Sequence, residues 1–576
     1  MAKSQAASKE SKESKESKKS EKPEVTEKPK KAVNTETSSK QNKQTPKKNT
    51  TATAAAKKTE VVKPQSETAK QTKKQPAPKK QAVLAETPAA DVAKPQPRKK
   101  KLSVLFVTAE AFPFAGTGGL GEVAGSLPKA LNGVGADVRV IMPLYGSVSQ
   151  KYRSAMTFVS YIRVAVGWRN QYCGLLKLEN DGVVTYFIDN EYYFKRDTIY
   201  GQFDDGERFA FFARAVLDVM PLLDFKPDII HSNDHATALV PLYYATEYYG
   251  QYGYGGIKNV FTIHNLEYQG CYPPFILGDV FGIDEKNRGL IDFNNRLNCI
   301  KGAIETADSV TTVSPTYARE ILIPERSCGL SGILERNKQK LCGILNGINV
   351  DEYNPETSPS IAKNFKSTDM SGKNDCRLAL KREMGLPESD RPTIAVISRL
   401  ATHKGLDLVK GLLERGGGAF NDCDLVILGT GERYLEDFFV HCAYTMPNVR
   451  ARITFDKNLA QRIYSGADMF LMPSGAEPCG LSQMMACRYG TIPIVRKTGG
   501  LADSIQDCRA GEHIGNGFVF EPYTVEALDE TIRAAVGKYY DRSAWQSLAE
   551  RAMNCDFSWK VSAKEYMKLY ERVLSK

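Results

Sequence analysis

The 576-residue sequence predicts an α/β protein. Two consecutive doubly wound units, each built on a parallel sheet, should face one another across a cleft, behind a disordered basic tail. Three observations predict this. A lysine-rich segment ends abruptly near residue 101. From there, short apolar β-rich runs alternate with stretches of helical spacing. The same alternation restarts after KLCGILNG (340–347). The expected organisation is a tail over 1–101, a first unit over 102–338, a second over 339–555, and a closing helix over 556–576.

The tail is read from composition. SKESKESKKSEK, KKQPAPKKQ and KPQPRKKK are polar or charged, with almost no large apolar side chain. Such a segment cannot bury enough surface to offset its ordering entropy. It suits either a cationic tether for an anionic surface or a solvated spacer. Order begins at LSVLFVTAE (102–110), a buried parallel strand by its continuous apolar run. GEVAGSLPKALNGVG (121–135) spaces Val123, Leu127 and Leu131 as a helix face, and ADVRVIMPLY (136–145) is the next strand. FKPDIIHSND (225–234), NVFTIHN (259–265) and SVTTVS (309–314) continue the pattern, with ALVPLYYATEYYG helical between the first two. In the second unit TIAVISRL, CDLVILGTG, VRARITF, ADMFLMPS and TIPIVRKTGG read as strands, and LAQRIYSG and LSQMMACRYG as helices. FSWKVSAKEYMKLYERVLS (557–575) is an amphipathic helix placed to pack back on the body.

Charge excludes one class of function. The chain holds 78 Lys+Arg against 67 Asp+Glu, but residues 1–100 hold 26 and 11 of these, leaving 52 and 56 in the body. The body is mildly acidic, so no nucleic-acid partner is expected for it. All 12 Cys fall between Cys173 and Cys555 with no CxxC pair, as in a reduced cytoplasmic protein. The six His show no zinc-ligand spacing, and no apolar run reaches membrane-spanning length, so neither a metal nor a membrane partner is expected.

The chemistry-bearing motifs follow the strands. GTGGLG (116–121) matches a dinucleotide glycine loop, but the next strand does not end in the acid that would grip a ribose; Asp137 precedes that strand. What remains is a glycine turn whose backbone N–H groups can approach an anion at a helix start. SRLATHKGLD (398–407) leaves a strand with Arg399 and Lys404, two cations suited to a diphosphate. Glycine turns recur at GTGE (429–432) and KTGG (497–500). In AEPCGLSQ (476–483), Glu477 could accept bonds from sugar hydroxyls or serve as a helix N-terminal charge.

These segments, with YFIDNEYYFKRDTIYG, GERFAFFARAVL, FTIHNLEYQG, TTVSPTYAREI, GILNGINVDEYNP and PSGAEPCGLSQMMACRYGTIPIVRKTGGLADSI, run in order along the body. On them the chain from about 102 to 575 resembles the bacterial glycogen synthase and plant starch synthase family of retaining glycosyltransferases. The resemblance implies the two-lobed GT-B architecture. It also implies glucose transfer from ADP-glucose to the non-reducing end of an α-1,4-glucan, with no metal and no cofactor. By the family pattern, Arg399 and Lys404 contact the phosphates and Glu477 lies near the sugar nucleotide. Thr498, Gly499 and Gly500 supply backbone contacts to the distal phosphate or glucose, and Gly118 and Gly119 close from the other lobe. His264, Asn265, Tyr268 and Gln269 line the glucose and acceptor region. His264 could instead be a core histidine, Tyr268 a packing residue, and Asp234 a helix cap rather than a site residue.

Three positions depart from the family pattern. Gly116 stands where the family has Lys, His235 and Ala236 where it has Trp and then His or Gln, and Gly475 and Ala476 where it has Arg-Phe. Each lost charge-assisted contact costs roughly 1.5–3 kcal/mol. The alternative these departures raise is a weakly active or inactive homologue that binds glucan or nucleotide and regulates or scaffolds other glucan enzymes.

Overall fold

The structure is a computed structural model that describes residues 101–511 and 513–576; the tail read from the sequence lies outside them but for Lys101. In the first lobe the expected strands form as β1 (Ser103–Val107), β2 (Asp137–Pro143), β6 (Ile229–Asn233), β7 (Lys258–Ile263) and β11 (Ser309–Thr312). Three further strands were not anticipated: β3 (Thr157–Val166), β4 (Arg169–Asn180) and β5 (Val183–Asp189). With β12 (Leu341–Gly343) they complete a nine-stranded sheet in the order β12-β11-β7-β6-β1-β2-β5-β4-β3. It is parallel except for β3 and β4, which close one edge antiparallel. A small antiparallel sheet joins β8 (Cys271–Tyr272), β10 (Arg296–Asn298) and β9 (Asp292–Phe293). Because β12 pairs with β11, the first sheet runs past the junction expected at 338/339.

The second lobe is a six-stranded parallel sheet. Its strands are β13 (Thr393–Ile397), β14 (Asp424–Leu428), β15 (Val449–Arg452), β16 (Met469–Met472), β17 (Ile492–Arg496) and β18 (Phe518–Phe520), in the order β15-β14-β13-β16-β17-β18. Both sheets carry helices on their faces, so their central strands are buried on both sides; Val104–Val107 and Leu425–Ile427 are fully buried.

Topology positions the site. In a doubly wound sheet, ligands bind beyond the carboxyl ends of the strands where the winding reverses. In the second sheet that point lies between β13 and β16. The segments leaving those strands carry Arg399 and Lys404 on one side and Glu477 on the other. In the first sheet the reversal lies between β1 and β6, whose exits carry the 116–121 glycine turn and Asp234.

The closing helix forms as Trp559–Leu574 and crosses to the first lobe, packing along the helix Gly119–Gly133. Tyr570 Oη sits 2.7 Å from His231 Nδ1, and His231 Nε2 sits 2.6 Å from Thr262 Oγ1. Burial pushes His231 down to about 3, so it is a neutral member of this network. The helix after β6 runs Leu239–Tyr243 and continues as a π turn, Tyr244–Tyr248.

Candidate active site

The second lobe contributes a preassembled charge pair. Lys404 closes a 3₁₀ turn, Thr402–Lys404, just after β13. The next residue, Gly405, has φ +76°, and a Cβ there would fall 2.1 Å from the Pro473 carbonyl oxygen. Only glycine lets this turn seat against the loop leaving β16. That contact brings Lys404 Nζ to 2.7 Å from Glu477 Oε2, which also accepts from Ser474 Oγ at 3.1 Å. The Glu477 side chain is 7% exposed and the Lys404 side chain 21%. A buried carboxylate is tolerable because it is paired and hydrogen-bonded. The GTGE turn braces the same feature: Glu432 accepts from Thr402 N at 3.2 Å and from Thr402 Oγ1 at 2.9 Å. Arg399 is exposed; its carbonyl accepts from Ser398 Oγ at 3.0 Å, and its guanidinium has no hydrogen-bond or ion-pair partner among the described residues. Its charge and that of Lys404 both oppose protonation of His403, whose pKa falls chiefly through burial.

Thr498, Gly499 and Gly500 are placed differently from expectation. Thr498 Oγ1 bonds Glu320 Oε1 at 3.0 Å, and Gly499 N donates to Glu320 Oε2 at 3.1 Å. Gly500 N donates to the Glu477 carbonyl at 3.2 Å. The Thr498 hydroxyl and the Gly499 and Gly500 N–H groups are therefore engaged by the protein itself. A Cβ on Gly499 would fall 1.9 Å from the Glu477 carbonyl oxygen, so the glycine serves backbone approach here.

Gly118 and Gly119 show the opposite condition. Both are exposed, and a Cβ on either would meet nothing within 4 Å. They open the 15-residue helix Gly119–Gly133, whose first N–H groups receive no side-chain cap. The neighbouring Thr117 is held by a carboxylate that sequence reading missed. Glu110, 3% exposed, accepts from Thr117 N at 2.5 Å and from Thr117 Oγ1 at 3.0 Å. Its one legible signal was an acid at the end of an apolar strand.

At the end of β6, Asp234 takes φ +57°, a strained conformation for a non-glycine residue. It caps no helix: its Oδ1 accepts from His264 N at 2.7 Å, tying the exit of β6 to that of β7. Burial pushes its carboxyl up to about 7, against the lowering effect of the His264 and Asn265 amides. His264 Nε2 lies 2.9 Å from Asn233 Oδ1, while Asn233 Nδ2 donates to the Val107 carbonyl at 3.0 Å. The amide is thereby oriented, His264 Nε2 must carry the proton, and Nδ1 is left to accept. Burial lowers His264 to about 3, so it stays neutral. Asn265 forms a local turn by accepting from Glu267 N at 3.0 Å. Gln269 spends its amide on Cys328 O at 2.9 Å and Asn298 Nδ2 at 2.6 Å, which leaves it as a brace. Tyr268 is half exposed, its ring centroid 6.5 Å from that of His235, which in turn lies 5.6 Å from Tyr200.

The departures fall into two kinds. At Gly116 a Cβ would sit 2.9 Å from two atoms of the Phe112 ring, so that ring fills the space beside it. Ala236, 2% exposed, packs in an apolar cluster with Ala109, Phe209 and Tyr200. Gly475 tolerates a Cβ, which would reach Tyr523 at 3.5 Å and the His403 carbonyl at 3.6 Å, ordinary contact. The lobes meet through Ser314 Oγ to Pro478 O at 2.7 Å, Thr316 to Asp503 at 2.6 and 2.7 Å, and Lys457 to Glu122 at 3.2 Å.

Comparison with known proteins agrees with this arrangement. Residues 103–336 match the starch synthase catalytic domain and residues 380–551 match the glycosyl transferases group 1. A glycogen synthase from Anoxybacillus flavithermus is 45% identical over 478 residues, covering 82% of this chain and 98% of the relative. One from Clostridium botulinum (strain Alaska E43) is 46% identical over 477 residues, covering 82% and 99%. The structure is similar to the catalytic domain of starch synthase IV from Arabidopsis thaliana bound to ADP and acarbose, with TM-score 0.76, 34% identity, and coverage of 83% of this chain and all of that one. With two doubly wound lobes, matching domains in both and relatives aligned almost end to end, the chain belongs to the glycogen and starch synthase family of hexosyltransferases.

Proposed function

We propose that the chain transfers glucose from ADP-glucose to the 4-hydroxyl at the non-reducing end of an α-1,4-glucan, with retention of configuration. The carrying observation is the Lys404–Glu477 pair, held at 2.7 Å at the winding reversal of the second sheet. In the reaction the bond from glucose C1 to the diphosphate breaks, a bond from the acceptor oxygen to C1 forms, and the acceptor proton is released. Negative charge grows on the departing diphosphate. Groups already in place stabilise it without reorganisation: the Lys404 ammonium, the Arg399 guanidinium and the uncapped N–H groups beyond Gly118 and Gly119. His264 Nδ1 accepts from a sugar hydroxyl, and Asp234 orients the His264–Asn265 segment. The rings of Tyr268 and His235 supply a packing face. ADP and acarbose in the solved relative support a nucleotide donor and a glucan-like acceptor. A cytoplasmic place of action goes with the scattered cysteines.

A second reading, a nucleotide- or glucan-binding homologue with little turnover, draws on the Phe112 ring that occupies the space beside Gly116. One assay separates the two. Purified protein with glycogen should release ADP from ADP-glucose in step with chain lengthening, with UDP-glucose, whose leaving group is UDP, as the comparison donor, and Glu477→Ala should abolish both release and lengthening. Binding of ADP with no product above the Glu477→Ala background would establish the second reading instead.

A further inference from the structure

Arg326 lies in the first lobe, at the end of the turn Pro324–Arg326, yet its side chain meets the second lobe. Its Nη1 is 2.6 Å from Glu320 Oε1 and donates to Thr498 Oγ1 at 3.0 Å. Nε and Nη2 have no partner among the described residues, and the side chain is 34% exposed. Half of a planar guanidinium fork thus remains available at the lobe junction.

A second guanidinium stands close by. Arg496 Nη1 donates to the Gly475 carbonyl at 2.8 Å and the Ser474 carbonyl at 3.3 Å, and Nε donates to Glu521 O at 3.1 Å. Burial lowers the Arg496 pKa first, and the Arg326 charge lowers it further. Arg326 is paired with Glu320, whereas Arg496 bonds only carbonyl oxygens among the described residues. Arg496 holds the loop on which Ser474 bonds Glu477, which ties it to the Lys404–Glu477 centre. Gly475 carries no side chain of its own, and a Cβ there would make only ordinary contact with Tyr523 and the His403 carbonyl.

Charge balance gives the arrangement its sense. Lys404 is matched by Glu477 and Arg326 by Glu320, while Arg399 and Arg496 form no ion pair with a carboxylate among the described residues. Without Arg326, the Glu320 carboxylate would confront an incoming diphosphate uncompensated. With it, the junction is net cationic, and a free fork edge remains for a phosphate oxygen.

We propose that Arg326 reaches across from the first lobe to contact the diphosphate of the bound sugar nucleotide, supplying charge that Gly116 and Gly475 do not. This rests on the donor reading above. The alternative role is structural, with Arg326 only balancing Glu320 at the lobe contact.

The test measures ADP and adenosine affinity by calorimetry on the full chain, with unfolding midpoints, for the wild type, Arg326→Gln, Arg326→Lys, Glu320→Gln and the double variant Arg326→Gln/Glu320→Gln. ADP affinity should fall at least tenfold in Arg326→Gln and less in Arg326→Lys, while adenosine affinity stays at the wild-type value. The double variant should regain the wild-type unfolding midpoint yet still bind ADP weakly. Recovery of ADP affinity in the double variant would overturn the proposal, as would equal losses for ADP and adenosine or unchanged ADP affinity in Arg326→Gln. A wild type that binds no ADP would instead overturn the donor reading itself, and Arg326 with it.

Discussion

Restoring a lysine at position 116 is the obvious way to raise activity, and the structure predicts that it fails as a single change. A Cβ at 116 would lie 2.9, 2.9 and 3.2 Å from three Phe112 ring atoms. Carbon pairs prefer about 3.5–4.0 Å, so several tenths of an ångström must be relieved. A retreat of the ring would disturb its contact with Lys457, whose Nζ lies 4.9 Å from the centroid. Overpacking of this kind costs about 1–3 kcal/mol. Gly116→Lys should therefore lower the denaturant midpoint and leave turnover unchanged or reduced. Phe112→Ala should lower the midpoint as well, losing a half-buried ring and a cation–π contact of about 0.5–1 kcal/mol. The double variant lets the lysine stem occupy the vacated space. It should be more stable than the sum of the single changes by at least about 1 kcal/mol, the size of coupling expected between touching residues. Its freed ammonium should raise kcat by about 10- to 100-fold, the equivalent of one charge-assisted contact. Urea unfolding and initial-rate kinetics on the four proteins close the cycle. Additive destabilisation, or a single Gly116→Lys variant that is both stable and faster, would refute the reasoning.

The two glycine turns should respond oppositely to alanine. Gly118→Ala has free space around it and should keep the wild-type unfolding midpoint while raising KM for ADP-glucose. Gly499→Ala drives a Cβ to 1.9 Å from the Glu477 carbonyl and should lower both the midpoint and kcat; equal effects at the two sites would contradict this. Asp234 gives a pH signature. Its carboxyl sits near 7 in the fold against 3.8 unfolded, so the folded state binds the proton more tightly. Its contribution to stability is present below pH 3.8 and is lost as pH rises to about 7, at up to about 1.4 kcal/mol per unit. Asp234→Asn should remove that slope between pH 4 and 7 in urea midpoints; parallel profiles for variant and wild type would exclude it.

The fold was legible where burial is double-sided. Strands such as β1, β6, β13 and β16 are covered on both faces, and continuous apolar runs announce them. The β3–β4 hairpin closes an edge with one face solvated, and its alternating Tyr161, Arg163 and Tyr172 dilute the apolar signal to that of a loop. The short β12 declares itself only by pairing with β11. The site was legible on the same terms. Lys404 and Glu477 lie on segments leaving neighbouring strands and could be placed from local motifs. Glu320 and Arg326 acquire their meaning from Thr498, which follows Arg326 by 172 residues and belongs to the other lobe.

The glycines mark where sequence reading must stop. GTGGLG and KTGG present the same residue type at a helix start, and both invite an anion. The absent side chain can serve either of two needs: room for a ligand, or room for the chain's own backbone. At Gly118 and Gly119 the space stays empty, and the helix that follows keeps its donors unspent. At Gly499 the space is taken by the Glu477 carbonyl, and the N–H groups of Gly499 and Gly500 are already bonded to Glu320 and Glu477. That second use sets the backbone of Glu477 against β17's exit while the side chain pairs with Lys404. One glycine turn therefore leaves room beside it and the other seats the backbone of Glu477. Only the atoms facing each missing Cβ distinguish them.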